Sequence, residues 1–288
     1  MISESKKDKP QRSGSRRFFV DLARAFGGAV LFSFPMLMTM EMWSLGFYMN
    51  GLRLALFTLL TVPLLIGLSY YDGFEDTSTE KDDVRETFIA YAVGFVTSAV
   101  MLFLFGVIKP GEMSVDEIIG KISIQAVAAS LGAMFAQSLL GGGDEQTKEH
   151  SEERKRSTSY GGQLFLMAVG AVFLSMSVSP TEEMILISFQ MTDWHTLALA
   201  VVTLLMMHAF VYSIEYRGFE KELPSDSSFL SGFLRFTMVG YAIVLLISFY
   251  ILWTFGSIDE MAFPEKLKAA IVLGFPAAIG ASASRLIL

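Results

Sequence analysis

Long apolar blocks set the terms for any fold of this chain. Just over half of its 288 residues are hydrophobic (52%), and the mean hydropathy is +0.50. The apolar residues come in runs, without a 3.6-residue stripe, and a helix apolar all round belongs in a core or against lipid. Eight such runs are expected as membrane spans, at roughly 25–48, 51–71, 86–107, 117–140, 162–187, 194–214, 231–255 and 265–287. Each holds about 20–25 residues, which at ~1.5 Å rise crosses a ~30 Å hydrocarbon layer. In lipid every backbone N–H and C=O needs an internal partner, so only helices and closed barrels span it. The runs are continuous, and a barrel strand would alternate in twos. The expected fold class is an all-α membrane protein with eight transmembrane helices.

The spans fall into two matched sets. Gly28-Ala29-Val30-Leu31-Phe32-Ser33 leads on to Thr39-Met40-Glu41-Met42, and 142 residues later Gly170-Ala171-Val172-Phe173-Leu174-Ser175 leads on to Thr181-Glu182-Glu183-Met184. Tyr71, Gly73, Phe74 and Glu75 are answered 145 residues on by Tyr216, Gly218, Phe219 and Glu220. Arg85, Thr87, Tyr91, Ala92 and Gly106 are answered 150 residues on by Arg235, Thr237, Tyr241, Ala242 and Gly256. Glu117, Ala129, Gly132, Ala133 and Leu140 are answered 148 residues on by Glu265, Ala277, Gly280, Ala281 and Leu288. The order holds while the offset drifts, as loop insertions require. The organisation reads as a basic tail (1–24), a first four-helix repeat (25–140), a polar linker (141–160) and a second four-helix repeat (161–288). Four crossings return the chain to its starting side, so the repeats are expected to be parallel, related by a pseudo-two-fold axis along the membrane normal.

Charge fixes the expected orientation. Seventeen of the 22 Lys and Arg residues lie on the side that holds both termini, and Arg53, Lys109, Lys121, Lys266 and Lys268 lie on the other. Positive loops mark the cytoplasm, so both termini are expected there. The first apolar run follows a long basic tail and lacks a small-residue cleavage site, so it is expected to remain as a span. Cysteine is absent, which excludes disulfides, thiolate metal sites and cysteine nucleophiles. The sequence has no phosphate-binding glycine loop, no serine-hydrolase elbow and no H-E-x-x-H. No enzyme, catalytic residue, metal site, cofactor or nucleic-acid partner is expected.

The residues that could carry chemistry are the ionisable groups inside spans. Glu41 sits in the first expected span and its mate Glu183 in the fifth, with Glu182 beside it. A carboxylate in hydrocarbon costs a few kcal/mol even on lenient scales and normally faces a bundle interior or water. Facing acids at equal depth would attract a cation or share a proton. Pro35 and Pro180 lie just before them, and carbonyls freed by proline could add ligands. The bland alternative is that the spans end sooner and both acids lie wet at the interface. His208 suits a proton relay or a hydrogen bond to a neighbouring helix. Tyr71, Glu75, Tyr216 and Glu220 lie where spans two and six end, beside Arg85 and Arg235, as a gate or as interface anchors. The acidic stretch 72–86 lacks the ligand pattern of a calcium loop and reads as a solvated face. Ala129, Gly132, Ala133 and Ala136, with Ala277, Gly280, Ala281 and Ser284, form small-residue faces that could pack on each other or seam a homo-oligomer.

The chain resembles a prokaryotic multi-pass integral-membrane family of unknown function. The resemblance rests on Gly27-Gly28-Ala29, on Met40-Glu41-Met42-Trp43 and on Tyr71-Asp72-Gly73-Phe74, and it covers both halves. It implies a prokaryotic inner (cytoplasmic) membrane and brings no functional residues with it. Two function classes stay open. One is a cation channel or proton-coupled cation transporter, with lipid and a small cation or proton as partners and a site at Glu41 and Glu183. The other is a non-transporting scaffold or sensor that binds a protein.

Overall fold

The computed structural model describes residues 14–72, 80–140, 159–215 and 233–287. In chain order the helices are α1 (Gly14–Leu37), α2 (Met40–Tyr48), α3 (Gly51–Asp72), α4 (Glu80–Leu104), α5 (Val115–Leu140), α6 (Tyr160–Val178), α7 (Glu182–Gln190), α8 (Asp193–Glu215), α9 (Val239–Thr254) and α10 (Phe263–Ile287). A π-helical turn, Phe233–Met238, leads into α9. Eight helices among the described residues are long and apolar enough to cross a membrane, from Phe19–Leu37 to Phe263–Arg285. Some of the polar groups they carry are satisfied within their own helix. The hydroxyls of Ser33, Thr58, Thr61, Ser130 and Thr203 each return to a carbonyl one turn back in their own helix.

The first and fifth spans differ from expectation. Neither 25–48 nor 162–187 is one continuous helix: α1 stops at Leu37 and α6 at Val178, and a separate nine-residue helix follows each. The order long, short, long, long, long therefore runs through 14–140 and again through 160–287. The fourth and ninth helices also end alike. Gly106 (φ 68°) and Gly256 (φ 77°) take the left-handed conformation that only glycine adopts without strain. In each case the next residue's N–H reaches back five positions to close the helix end, Val107 to Leu102 (2.9 Å) and Ser257 to Leu252 (3.0 Å).

The small-residue faces are buried, and each packs within its own half. Gly132 on α5 lies against Gly28 on α1; a Cβ on either would strike the other's carbonyl oxygen. Gly280 on α10 lies against Gly170 on α6 in the same way, and Ser284 adds a hydroxyl bond to the Leu166 carbonyl (2.7 Å). The expected packing of these two faces on each other is thus replaced by one tight helix pair per half. The reason is steric: only a glycine opposite a glycine lets two backbones approach this closely. Between the halves the filling is aromatic and apolar. Phe32, Phe135 and Phe173 meet with ring centroids 5.6–5.8 Å apart, and Phe57 meets Phe255 at 5.8 Å. Arg53 at the start of α3 crosses to the second half, where it bonds the Trp253 carbonyl (2.7 Å), pairs with Asp259 (2.8 Å) and lies over the Trp253 ring.

Substitution Gly280→Ala should therefore destabilise the protein by about 1–3 kcal/mol, the usual cost of overpacking. Gly51→Ala, where a Cβ meets nothing within 4 Å, should not. Thermal unfolding in detergent, read by circular dichroism, distinguishes the two; equal midpoints would contradict the close contact.

Candidate functional site

Proline prepares the break in each first span. Pro35 has no N–H to donate, and α1 ends two residues after it. Met38 still bonds Phe34 (3.1 Å), but Thr39 turns back to Met36 (3.2 Å) and is itself extended (φ −101°, ψ 117°), which starts α2. Pro180 falls in the gap between α6 and α7, and Thr181 (φ −75°, ψ 136°) starts α7. The carbonyls at the first break are supplied with protein donors. Pro35 O accepts from the Thr39 hydroxyl (2.6 Å), Met36 O from the buried Gln125 amide (3.0 Å) and Leu37 O from the Trp43 indole (2.8 Å). At the second break Val178 O accepts from the Thr181 hydroxyl (2.9 Å). These carbonyls are helix-end groups, each satisfied by a protein donor.

The acids follow the breaks. Glu41 lies in the first turn of α2, and Glu182 and Glu183 in the first turn of α7. A first-turn acid complements the partial positive charge of a helix N-terminus. Glu41 is half-buried, whereas Glu182 and Glu183 are exposed, so the halves do not close over a facing Glu41–Glu183 pair. Met36, Met42, Met176 and Met184, from the helices on either side of the two breaks, belong to one buried apolar cluster.

Acids of both halves nevertheless act through their charge on one largely exposed side chain. Tyr48, at the end of α2, has its phenol pushed above the ordinary 10.0, first by burial, then by the charge of Glu182, then by that of Glu41. Glu182, whose counterpart in the first half is Met40, is therefore the acid that shares this environment with Glu41. Beneath α2, Lys121 is buried and pairs with Glu117 one turn away on α5 (2.9 Å). Its backbone is so close to Gly46 that a Cβ there would not fit. The sequence offers no signal for Tyr48, while Gln125 registers in it as a packing group within the fourth span and Lys121 only as a topology charge.

The remaining expected residues lie elsewhere. His208 is buried on α8, with Nδ1 3.0 Å from the Thr237 hydroxyl at the entry to α9 and its ring against Phe233. It links neighbouring helices far from the breaks in sequence. Arg85 and Arg235 are exposed. Arg235 lies over the Tyr160 ring (4.8 Å), and its carbonyl accepts from the Tyr160 hydroxyl (2.6 Å). Arg285 bonds Gln163 (2.6 Å) and lies over Phe236. The side chain of Tyr71, and all of Glu75, Tyr216 and Glu220, lie outside the described residues, as do 1–13 and the linker 141–158. The acidic stretch is not a solvated face at its C-terminal end. Asp83 is 7% exposed and Glu86 fully buried, because the Ser69 hydroxyl from α3 meets Glu86 there. Among the described residues no group of three His, Asp or Glu side chains is placed to hold a metal ion.

The shared environment of Tyr48 has a spectroscopic consequence. Its ionisation, read at the tyrosinate absorbance and assigned by difference from Tyr48→Phe, should fall above pH 10. Tyrosinate is negative, so removing a nearby negative charge makes it easier to form. Glu182→Gln should lower the transition, and Glu41→Gln should lower it less. An unchanged transition in both variants would contradict the convergence.

No curated protein and no solved structure matches the chain. The model of the DUF2391 family of integral membrane proteins matches residues 21–288, which covers all eight spans apart from the first two residues of α1's apolar stretch. The broken spans, the paired helices and nearly the whole described length thus fall within one family match, and the chain belongs to the DUF2391 integral membrane proteins.

Proposed function

We propose that this multi-pass protein moves a small cation or protons across a membrane. The reading is supported by the short helix that follows the first long helix of each half, by Glu41, Glu182 and Glu183 in the first turns of those short helices, and by the Tyr48 phenol, raised by burial and then by the charges of Glu182 and Glu41. Interrupted spans in corresponding positions of two halves are the sequence mark of transporter binding sites. The proposal takes the two halves as parallel four-helix repeats with both termini in the cytoplasm, in a prokaryotic inner membrane, as the basic residues suggest. Glu41, Glu182 and Glu183 form a negative mouth on the opposite side, which concentrates cations. His208 and the Arg85 and Arg235 ends of α4 and α9 belong to the other mouth.

A second reading, a non-transporting module that binds a protein, is favoured by the aromatic filling between the halves. The two readings separate in proteoliposomes loaded with a pH-sensitive or cation-sensitive dye. Transport predicts flux above empty vesicles, reduced in Glu41→Gln/Glu182→Gln. Flux that is absent, or unchanged in the double variant, removes the transport reading.

A further inference from the structure

Three span ends of the second half meet around one pair of rings. Tyr160 opens α6 and Phe236 lies in the π-helical turn before α9, with ring centroids 5.3 Å apart, edge to face. Each ring carries a guanidinium. Arg235, from the same π turn, lies 4.8 Å over Tyr160, and Arg285, in the last turn of α10, lies 4.7 Å over Phe236. The Tyr160 hydroxyl donates to the Arg235 carbonyl (2.6 Å) and Arg285 donates to the Gln163 side chain (2.6 Å), so contacts between helices fasten the cluster. The Arg235 side chain is exposed, and among the described residues no carboxylate pairs with it. π-Helical turns are rare and recur at functional sites.

Topology alone does not account for this cluster. A charge that fixes orientation needs only to flank the right end of a span, and Arg85 does so at the matching place in the first half. The rings and the second guanidinium have no such counterpart. The residue that matches Phe236 is the buried Glu86, and the one that matches Arg285 is Gln137. The halves therefore differ in charge at this place, with a buried acid in the first and two ring-stacked guanidiniums in the second.

We infer that this end of the second half binds an anionic phospholipid, with its phosphodiester against the Arg235 guanidinium. A guanidinium presents a planar fork of donors that matches phosphate oxygens, and its stacking on a ring holds that fork in place. Arg285 adds a second positive charge to the same cluster. The apolar part of the ligand is provided for as well. Leu234, Met238, Ala242 and Leu246 are exposed at every fourth position of the π turn and α9, and they lead from Arg235 along the span. One span begins at Phe233 and another ends at Arg285, which sets the guanidiniums at headgroup depth, where basic pockets between spans hold anionic lipids. A free phosphate would use the guanidinium and gain nothing from the strip. The inference is independent of the transport reading.

The test titrates the full chain, delipidated in detergent, with phosphatidylglycerol or phosphatidylcholine and counts bound lipid by native mass spectrometry. The unaltered chain should hold its first phosphatidylglycerol more tightly than phosphatidylcholine. Arg235→Gln should weaken that binding by about fivefold or more, the contribution of one basic side chain near an anionic surface, and leave phosphatidylcholine unchanged. Arg85→Gln removes the same charge at the matched position and should leave both lipids unchanged. Both side chains are exposed, so neither substitution should disturb the fold. Equal affinity for the two lipids, or an equal loss in Arg235→Gln and Arg85→Gln, would overturn the site. Inorganic phosphate that displaces phosphatidylglycerol at equal concentration would overturn a lipid as its ligand.

Discussion

A helix that ends within a packed bundle leaves carbonyls with no partner of their own, and this chain ends a long helix just before a short one twice, at Leu37 and at Val178. Each unpaired group would cost several kcal/mol in hydrocarbon. The break after Leu37 is tolerated because Thr39, Gln125 and Trp43 arrive with donors, one from the turn, one from α5 and one from the next helix. The break after Val178 uses Thr181 in the same role as Thr39. Everything specific to the candidate site follows from this. The short helices α2 and α7 exist because the spans before them end, and their first turns place Glu41, Glu182 and Glu183 where a helix N-terminus favours negative charge.

Close backbone packing holds the breaks in position. Gly28 against Gly132, and Gly170 against Gly280, set the separation of the first and last long helices of each half. Gly46 against Gly120 and Lys121 then seats α2 on α5. Among the described residues the halves meet through rings and apolar side chains, and Arg53 ties α3 to the turn at Gly256 through Trp253 and Asp259. Movement between the halves would have to slide the Phe32–Phe135–Phe173 cluster and strain that tie, whereas movement of α2 or α7 alone leaves both untouched.

Span positions were legible in the sequence because lipid imposes a length and a composition on each one. The paired glycines were legible too, at 28 and 170 and at 132 and 280, but their partners were not. Two small-residue faces are equally able to pack on each other or on a neighbour, and only the three-dimensional arrangement chooses. The breaks stood in the sequence only as an alternative, spans ending sooner near Pro35 and Pro180, because proline inside a membrane helix is commonly tolerated: Pro63 and Pro276 lie within unbroken helices α3 and α10. What distinguishes Pro35 is the set of donors that meets the broken end, and Gln125 comes from 89 residues away. The prominence of Glu182 over Glu183 at Tyr48 was likewise hidden, since sequence matching paired Glu41 with Glu183. Burial of Glu86 depends on Ser69 on the preceding helix, a contact that charge counting along one loop cannot register.

The central claim is that the two halves stand in the same orientation, so that their breaks lie on one side of the membrane and share an environment. The absence of cysteine allows spin labels to be placed at Glu41→Cys and Glu182→Cys without any background. Their separation in lipid nanodiscs, measured by double electron–electron resonance, should be well below the ~30 Å thickness of the hydrocarbon layer, with both labels reached by a water-soluble relaxation agent. A separation at or beyond that thickness, as opposed halves would give, would contradict the account.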